Sequence, residues 1–259
     1  MNEGIRQSAE DRPVIAITGG SAGLGRALAE VLLRRGMAVA LCARRERRLL
    51  EAVESLEALG PVDGVAGDVA DPRFRNTWLS HVVRRFGHLD ALVLNASTLG
   101  DIPMPFLRDT HIVNLRTVFE VNTFAPVLML QQAMPLLAAR PRALCLAVSS
   151  DAAVGGYPGW GVYGASKAAL DLLTKTFARE TSLDHIAVYS VDPGDMHRAA
   201  PAGGSRRTRP RAGRPCGGGG GVGLPVRSAA HRRPLPASER GSPRGARHSP
   251  PPLRRGVLT

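Results

Sequence analysis

A tyrosine, a lysine and a serine lie at spacings that suit proton transfer. Tyr163 and Lys167 are four residues apart at the start of a predicted helix, so their side chains share one face. A neighbouring ammonium group stabilises a phenolate and lowers the pKa of a tyrosine toward neutrality. Tyr163 would then be a general acid for a carbonyl that is reduced, or a base for an alcohol that is oxidised. Ser150, just beyond an apolar strand, is placed to hold the carbonyl oxygen.

A glycine-rich turn between the first predicted strand and the first predicted helix is the second candidate site. Glycines in such a turn let the backbone approach a pyrophosphate, while the helix N-terminus supplies N–H donors and a positive dipole. The predicted dinucleotide contacts in this turn are Thr18, Gly19, Ser21, Ala22, Gly23, Leu24 and Gly25.

Each pattern also has a simpler interpretation. A glycine cluster can be an ordinary strand-to-helix turn, and a tyrosine four residues before a lysine can be a solvated surface pair. The functional interpretation is favoured because both patterns occur together in a chain that alternates strands and helices.

The residues after the second strand favour a phosphate ligand. About 20 residues beyond the turn, a carboxylate would bind the ribose 2′-hydroxyl of NAD(H). This sequence instead has Arg44 and Arg45 there, with no acid before Glu46. It therefore predicts NADP(H) rather than NAD(H), with Ser21 placed to add a hydroxyl to the 2′-phosphate. Arg44 is the better candidate because it directly follows the strand, and a solvated surface position is the alternative for both arginines.

Six short apolar runs separated by helical patterns would position these residues. The predicted strands are 13–18, 37–43, 62–69, 89–95, 143–149 and 186–191. The predicted helices are 24–35, 45–59, one beginning at 71–72, 113–139 and 163–181. Because the strands are almost wholly apolar rather than alternating, helices should cover both faces of the sheet. The pattern predicts an α/β fold with a doubly wound parallel sheet in one domain, residues 13–196.

Together these features resemble the short-chain dehydrogenase/reductase family. The family hallmarks are a T-G-x-x-x-G-x-G turn, an N-A-G segment, an asparagine, a serine and Y-x-x-x-K. This chain has, in the same order, Thr18 to Gly25, Asn95-Ala96-Ser97, Asn122, Ser150, and Tyr163 with Lys167. The resemblance covers residues 13–196 and implies a Rossmann-like fold that uses NAD(P)(H) on a small carbonyl or alcohol substrate.

The resemblance also implies a role for each catalytic residue. Tyr163 would be the acid/base, and Lys167 would bind the nicotinamide ribose and tune Tyr163. Ser150 would orient the substrate, and Asn122 would hold a water of the proton relay. These helices, around Asn122 and from Tyr163, would also pair with their copies in a homodimer or homotetramer.

Further cofactor contacts are implied by the same resemblance. They are Asp68 and Val69 at the adenine, Asn95 and Ala96 lining the cofactor cleft, and Pro193 and Gly194 beside the nicotinamide. The structural alternatives are a strand-end cap for Asp68 and a link between strands for Asn95, where both roles can hold. Ser97 stands where the family usually has glycine, which would hold that turn further from the cofactor.

The net charge of +12 does not belong to this domain. Residues 197–259 contain 14 Arg, no Lys and one acid, Glu239, whereas residues 1–196 are nearly neutral. This Pro-, Gly- and Arg-rich tail is predicted to be largely disordered, because it cannot bury enough apolar surface to offset its ordering entropy. Residues 1–12 are predicted to be a polar N-terminal segment.

Two explanations of the tail stay open. An Arg-rich extension could bind nucleic acid or another polyanion by neutralising phosphates. A reading-frame change near His197 is favoured, because the composition changes abruptly inside a matched motif and expected core elements are replaced. Resequencing the DNA separates these explanations.

The remaining composition limits the class of protein. Three cysteines form no even disulfide set and match no metal-ligand spacing, so we expect a reducing compartment and no metal. No apolar run approaches the ~20 residues of a membrane span, so we expect a cytoplasmic protein without a membrane partner. The alternatives to an oxidoreductase are a non-catalytic or degenerate dinucleotide-binding protein and a polyanion-binding protein acting through the tail.

Overall fold

The computed structural model describes residues 12–181 and 183–194. The strands are β1 (Val14–Thr18), β2 (Ala38–Ala43), β3 (Val62–Ala66), β4 (Ala91–Leu94), β5 (Ala143–Val148) and β6 (Ile186–Val191). The helices are α1 (Gly23–Arg34), α2 (Glu46–Glu57), α3 (Pro72–Phe86), α4 (Ile112–Phe119), α5 (Ala125–Ala138) and α6 (Gly161–Glu180). The predictions made for residues 1–11 and for the tail lie outside the described residues.

The six strands form one parallel sheet in the order β3-β2-β1-β4-β5-β6. The predicted Rossmann-like α/β fold is therefore confirmed. The strand order reverses between β1 and β4, and parallel strands bring all their carboxyl ends to one edge. The loops that follow β1, β4 and β5 consequently meet at that edge, and these loops carry the predicted site residues.

Two apolar clusters lie on opposite faces of the sheet. Successive residues of β1 alternate between them, so that Ala16 lies in the same cluster as Trp78 of α3 and Ile17 in the same cluster as Leu33 of α1. The first cluster also receives α5 and α6, whereas α2 joins the second. In the described part of the chain, alternate residues of β5 on the second face are only partly buried.

Two predicted boundaries are wrong. Strand β3 ends at Ala66 because Asp68 forms a local turn, in which its Oδ1 accepts the N–H of Ala70 at 2.9 Å. The single helix predicted over 113–139 is interrupted by a π-helical segment, Glu120–Phe124, between α4 and α5. The apolar pattern continues through this segment, but one wider turn re-aims the residues within it.

Candidate active site

The glycine-rich turn after β1 is shaped by close packing. Gly19 and Gly23 have positive φ angles of 70° and 57°, a region that glycine enters at little cost. At Gly25 a Cβ atom would lie 2.6 Å from the carbonyl oxygen of Gly19 and 2.7 Å from Asn95 Nδ2. Only glycine lets α1 begin this close to the turn. A Cβ at Gly23 would meet no other atom within 4 Å, so there glycine serves the backbone conformation alone.

Thr18 and Asn95 tie β1 to β4. The Thr18 hydroxyl accepts the N–H groups of Asn95 and Ala96, both at 2.9 Å, and donates to the carbonyl of Val93 at 3.3 Å. Asn95 Nδ2 donates to the carbonyls of Thr18 and Gly19. Asn95 therefore links the two strands, which is the structural role considered for it as an alternative to cofactor binding. The buried hydroxyl of Thr18 is engaged within the protein, so a cofactor contact of this residue would have to use its backbone.

The N-terminus of α1 suits an anion. Its N-cap residue, Ala22, has no side-chain hydrogen-bonding atom, and no side chain caps the first turn. The N–H groups of that turn, which include Gly23, Leu24 and Gly25, carry the positive end of the helix dipole. A pyrophosphate can accept hydrogen bonds from such N–H groups.

A cleft of about 220 Å³ opens beside this turn. Among the residues that line it are Gly19, Ser21, Arg44, Arg45, Arg48, Asp68, Val69, Ala96 and Ser97. Six of the predicted dinucleotide contacts are among them, namely Gly19, Ser21, Arg44, Asp68, Val69 and Ala96. Pro193 and Gly194 follow β6 at the same edge of the sheet but do not line this cleft.

Three arginines give the cleft its charge. Arg44 Nη1 lies 3.9 Å from Asp68 Oδ2, and both side chains are about half exposed. Asp68 also forms the turn at the end of β3. It therefore has the strand-end capping role considered for it as an alternative to an adenine contact. Arg48, one helical turn beyond Arg44 and Arg45, was not predicted from the sequence. Its spacing of three residues from Arg45 was the available signal.

Tyr163 and Lys167 share a face of α6, as predicted. The Lys167 side chain is 2% exposed, and its Nζ donates to the carbonyl of Val148 at 2.7 Å. This ammonium group lies 5.8 Å from the centroid of the Tyr163 ring. Burial lowers the pKa of Lys167 to about 8, although the charge of Asp171 opposes this shift.

The predicted lowering of the pKa of Tyr163 is wrong for this structure. Burial raises that pKa, and hydrogen bonds with Ser97 and Ser150 only partly oppose the rise. The carboxylates of Asp151 and Asp192 raise the pKa of Tyr163 further. The spacing of tyrosine and lysine gives their proximity, but desolvation of the phenol outweighs the hydrogen bonds.

Ser150 is brought to Tyr163 by the short 3₁₀ turn that follows β5. The Ser150 hydroxyl donates to Asp151 Oδ1 at 3.0 Å and accepts the N–H of Ala152 at 3.2 Å. Helix α6 approaches this turn closely, since a Cβ at Gly164 would lie 2.4 Å from the Ala152 carbonyl oxygen.

Asn122 holds the site together from the π-helical segment. Its Nδ2 donates to the carbonyl of Thr98 at 2.9 Å and to Ser166 Oγ at 3.0 Å. Its Oδ1 accepts the N–H of Thr98 at 2.8 Å and the hydroxyl of Ser97 at 3.3 Å. Two donors and two acceptor positions are all that an amide offers. The Asn122 side chain is thus committed to the protein, and a relay water would have to use its backbone.

Two serines in this network were missed as functional candidates. The Ser166 hydroxyl accepts a hydrogen bond from Asn122 Nδ2 and donates to the backbone carbonyl of Tyr163 at 2.6 Å. These bonds link the π-helical segment to α6. Ser97 donates to Asn122 and lines the cleft. There was one reason in the sequence to notice Ser97, since it stands where the family that this sequence resembles usually has glycine.

Several other features of the described residues limit the chemistry. Cys42 and Cys145 are buried free thiols, and burial raises the pKa of both. Residues 12–181 and 183–194 contain no cluster of three or more potential metal ligands. Within the same ranges, no helix combines the length and apolar character needed to cross a bilayer.

Comparison with known proteins gives consistent matches. The family model for short chain dehydrogenases matches residues 13–207. An uncharacterized oxidoreductase of Schizosaccharomyces pombe is 32% identical over 183 residues, which are 70% of each chain. A short-chain dehydrogenase from Streptomyces avermitilis superposes with a TM-score of 0.67 at 29% identity, over 73% of this chain and 68% of that one. For an NAD+-bound xylitol dehydrogenase the TM-score is 0.66 at 26% identity, over 70% and 69% of the two chains.

Proposed function

Since the chain belongs to the short-chain dehydrogenase family, we propose that it transfers a hydride between NADP(H) and a carbonyl or alcohol carbon, with Tyr163 as general acid/base. The observation that carries this proposal is the position of Ser97. This residue lines the cleft beside the glycine-rich turn and the arginines, and its hydroxyl donates to Asn122, which is hydrogen-bonded to Ser166, three residues after Tyr163 on α6. These hydrogen bonds connect the dinucleotide cleft to the helix that carries Tyr163.

The residues of the cleft fit a phosphorylated dinucleotide. The first turn of α1 would bind the pyrophosphate, and Val69 would lie against the adenine. Arg44, Arg48 and Ser21 would bind the 2′-phosphate, because guanidinium groups pair with phosphate oxygens in a bidentate way. The xylitol dehydrogenase with the same fold holds NAD+, so the preference for NADP(H) in this chain rests on the arginines.

Proton transfer is the task of the chain's own residues. A bound nicotinamide would supply or accept the hydride. Tyr163, whose pKa is raised, carries its proton at neutral pH and can give it to the oxygen of a reduced carbonyl. Ser150 would orient that oxygen, and the ammonium charge of Lys167 would favour the phenolate that remains. This protonation state suits reduction of a carbonyl better than oxidation of an alcohol.

Assembly as a homodimer is part of the proposal. Exposed apolar side chains recur on α4, α5 and α6, the helices that the family resemblance would pair with those of a second copy. They are Ile112, Val113, Leu128, Leu172 and Leu173. A second copy of the chain would cover them. The buried free thiols fit the cytoplasm, which we propose as the location.

Titration of the full chain with NADPH and NADH tests the proposed function. Quenching of intrinsic fluorescence and the rise in melting temperature both report binding. We expect saturable binding of NADPH at least tenfold tighter than that of NADH, a difference of about 1.4 kcal/mol. Equal affinities would contradict the preference, and no binding would overturn the whole proposal. NADPH binding without turnover across a carbonyl screen would favour the non-catalytic alternative.

A further inference from the structure

One buried arginine has no part in the site described above. Arg75 on α3 is 2% exposed, and its Nη1 donates to the backbone carbonyls of Val69 at 2.7 Å and of Ala70 at 3.0 Å. Both carbonyls belong to residues 67–71, the β3–α3 loop. Val69 lines the cleft beside the glycine-rich turn, whereas Arg75 does not. Arg75 therefore reaches the cleft only through this loop.

Stability alone does not account for an arginine at this position. A guanidinium group loses its hydration when it is buried, and this cost is offset only where hydrogen bonds or a carboxylate replace the water. Within the described residues, the Nε of Arg75 has no hydrogen-bond partner, and the bonds of Nη1 go to carbonyls. An apolar residue would avoid the cost of burying the charge but would leave the two carbonyls without this donor.

The β3–α3 loop does not supply that donor itself. Asp68 Oδ1 accepts the N–H of Ala70 at 2.9 Å, and the Asp68 carbonyl accepts the N–H of Asp71 at 3.0 Å. These bonds form the turn, but they use N–H groups and leave the carbonyls of Val69 and Ala70 to Arg75. The bond to the Val69 carbonyl is buried. Without Arg75 the loop would have to turn its carbonyls toward water, which would displace Asp68 and Val69.

We propose that Arg75 is a positioning residue for the adenosine end of the cofactor, because it holds the β3–α3 loop against α3. The inference rests on the proposed binding of NADP(H) in the cleft. Asp68 and Val69 then meet the adenosine on a loop of fixed shape, which reduces the ordering cost of binding. Asp68 Oδ2 also lies 3.9 Å from Arg44 Nη1, so a displaced loop would move the carboxylate that pairs with Arg44.

The nicotinamide end provides a contrast within the same protein. Ser150 lies on the turn after β5, and Tyr163 and Lys167 lie on α6, whereas both Arg75 bonds go to the β3–α3 loop. Loss of these bonds should weaken binding of the adenosine half and leave the proton-transfer residues in place. A general loss of structure would affect both ends.

Isothermal titration calorimetry of the full chain with 2′,5′-ADP tests the inference, because this probe carries the adenosine and the 2′-phosphate but no nicotinamide. Calorimetry gives the dissociation constant and the number of binding sites separately. A variant that folds incompletely binds at fewer sites, whereas a displaced loop lowers the affinity at all sites. Arg75→Met keeps a long unbranched side chain without the donors. Arg73→Met, at an exposed arginine of the same helix, is the matched control.

We expect Arg75→Met to weaken 2′,5′-ADP binding about tenfold with the number of sites retained. Arg73→Met should leave the affinity unchanged. Arg75→Lys, which keeps a cation with N–H donors, should recover part of the loss. An unchanged dissociation constant in Arg75→Met would overturn the inference, and so would a loss of sites at unchanged affinity.

A double-mutant cycle shows whether Arg75 acts through the loop. Val69→Ala removes the apolar contact that the loop would make with the adenine, so adding Arg75→Met should have little further effect on 2′,5′-ADP affinity. The same addition to Arg48→Ala should have its full effect, because Arg48 lies on α2. Full additivity with Val69→Ala would contradict the inference. A parent protein that binds neither NADPH nor 2′,5′-ADP would overturn the proposed function, and the inference with it.

Discussion

The cofactor half and the catalytic half of this molecule are built in different ways. In the cofactor half, formed by β1 to β3 with α1 and α2, the anion site consists of backbone N–H groups and exposed arginines. In the catalytic half, formed by β4 to β6 with α4 to α6, Asn122 and Lys167 are buried and bound to other protein groups. One half offers free hydrogen-bonding groups to a ligand, whereas the other uses most of them internally.

This difference predicts how the two halves respond to substitution. Exposed cations act through solvent-screened electrostatics, so each arginine should change cofactor affinity by a modest and nearly additive amount. Groups in a buried network depend on one another, so removing one leaves its partners unpaired. Changes in the catalytic half should therefore be larger and should affect stability or turnover rather than NADPH affinity.

The largest effect is expected from Tyr163→Phe. The general acid is lost, and proton transfer by a positioned side chain contributes about 10²–10⁴-fold to rate. Turnover of any carbonyl that the wild type reduces should fall about 10³-fold, while NADPH affinity changes less than about twofold, because the hydroxyl lies outside the anion site. Tyr157→Phe, at an exposed tyrosine in the preceding loop, is the control. Turnover that survives in Tyr163→Phe would remove this residue from the mechanism.

Asn122→Ala should have the next largest effect, on stability. Four hydrogen bonds are lost and Ser166 and the Thr98 backbone lose a partner, at an expected cost of about 3 kcal/mol in the free energy of unfolding. Urea unfolding measures this cost. Asn76→Ala, at an exposed position on α3, should change the unfolding midpoint little. Equal midpoints for the two variants would show that the Asn122 network does not stabilise the protein.

Lys167→Met should stabilise the protein at neutral pH and abolish turnover. The pKa of Lys167 is about 8 when folded and 10.5 as the ordinary value, so the unfolded chain binds the proton more tightly. The stability of the wild type therefore rises with pH between about 8 and 10.5 through this group. At pH 7 the variant should be more stable by about 2 kcal/mol, and the gap should close above pH 10.

Chemical unfolding at several pH values measures this gap. Lys175→Met, at an exposed lysine of the same helix, provides the matched control and should show no such pH dependence. A gap that does not change with pH would mean that burial of Lys167 carries no cost in stability.

Arg48→Ala and Arg44→Ala should have the smallest effects, confined to the cofactor half. Each should weaken NADPH binding about fivefold, or about 1 kcal/mol, and leave NADH binding unchanged, because only NADPH carries the 2′-phosphate. Arg47→Ala is the control, since Arg47 is exposed on α2, pairs with Glu51 and does not line the cleft. Equal losses for NADPH and NADH would place the arginines away from the 2′-phosphate.

The fold was largely predictable, and its errors have local causes. Apolar runs and helix caps gave the order of strands and helices, because burial on both faces of the sheet imposes that pattern. The early end of β3 was missed because it depends on one side-chain hydrogen bond of Asp68. The π-helical segment was missed because the apolar pattern over 113–139 is the same with or without one wider turn.

The candidate site was predicted in part. Tyr163 and Lys167 do share a face of α6 near Ser150, and six of the predicted dinucleotide contacts line one cleft. Arg48 and Ser97 were not predicted as functional residues. Arg48 enters the cleft through the geometry of α2, and Ser97 reaches Asn122 because the loop after β4 passes the π-helical segment.

Residue types and their spacing determined the parallel α/β order, the glycine-rich turn and the tyrosine–lysine pair, since each follows from periodicity or from neighbours within one helical turn. Only the tertiary structure decided the protonation and pairing of the same groups. It buries Lys167, raises the pKa of Tyr163, and commits the Thr18 hydroxyl and the Asn122 amide to the protein. Desolvation and hydrogen-bond partners depend on segments far apart in the sequence, and no local pattern encodes them.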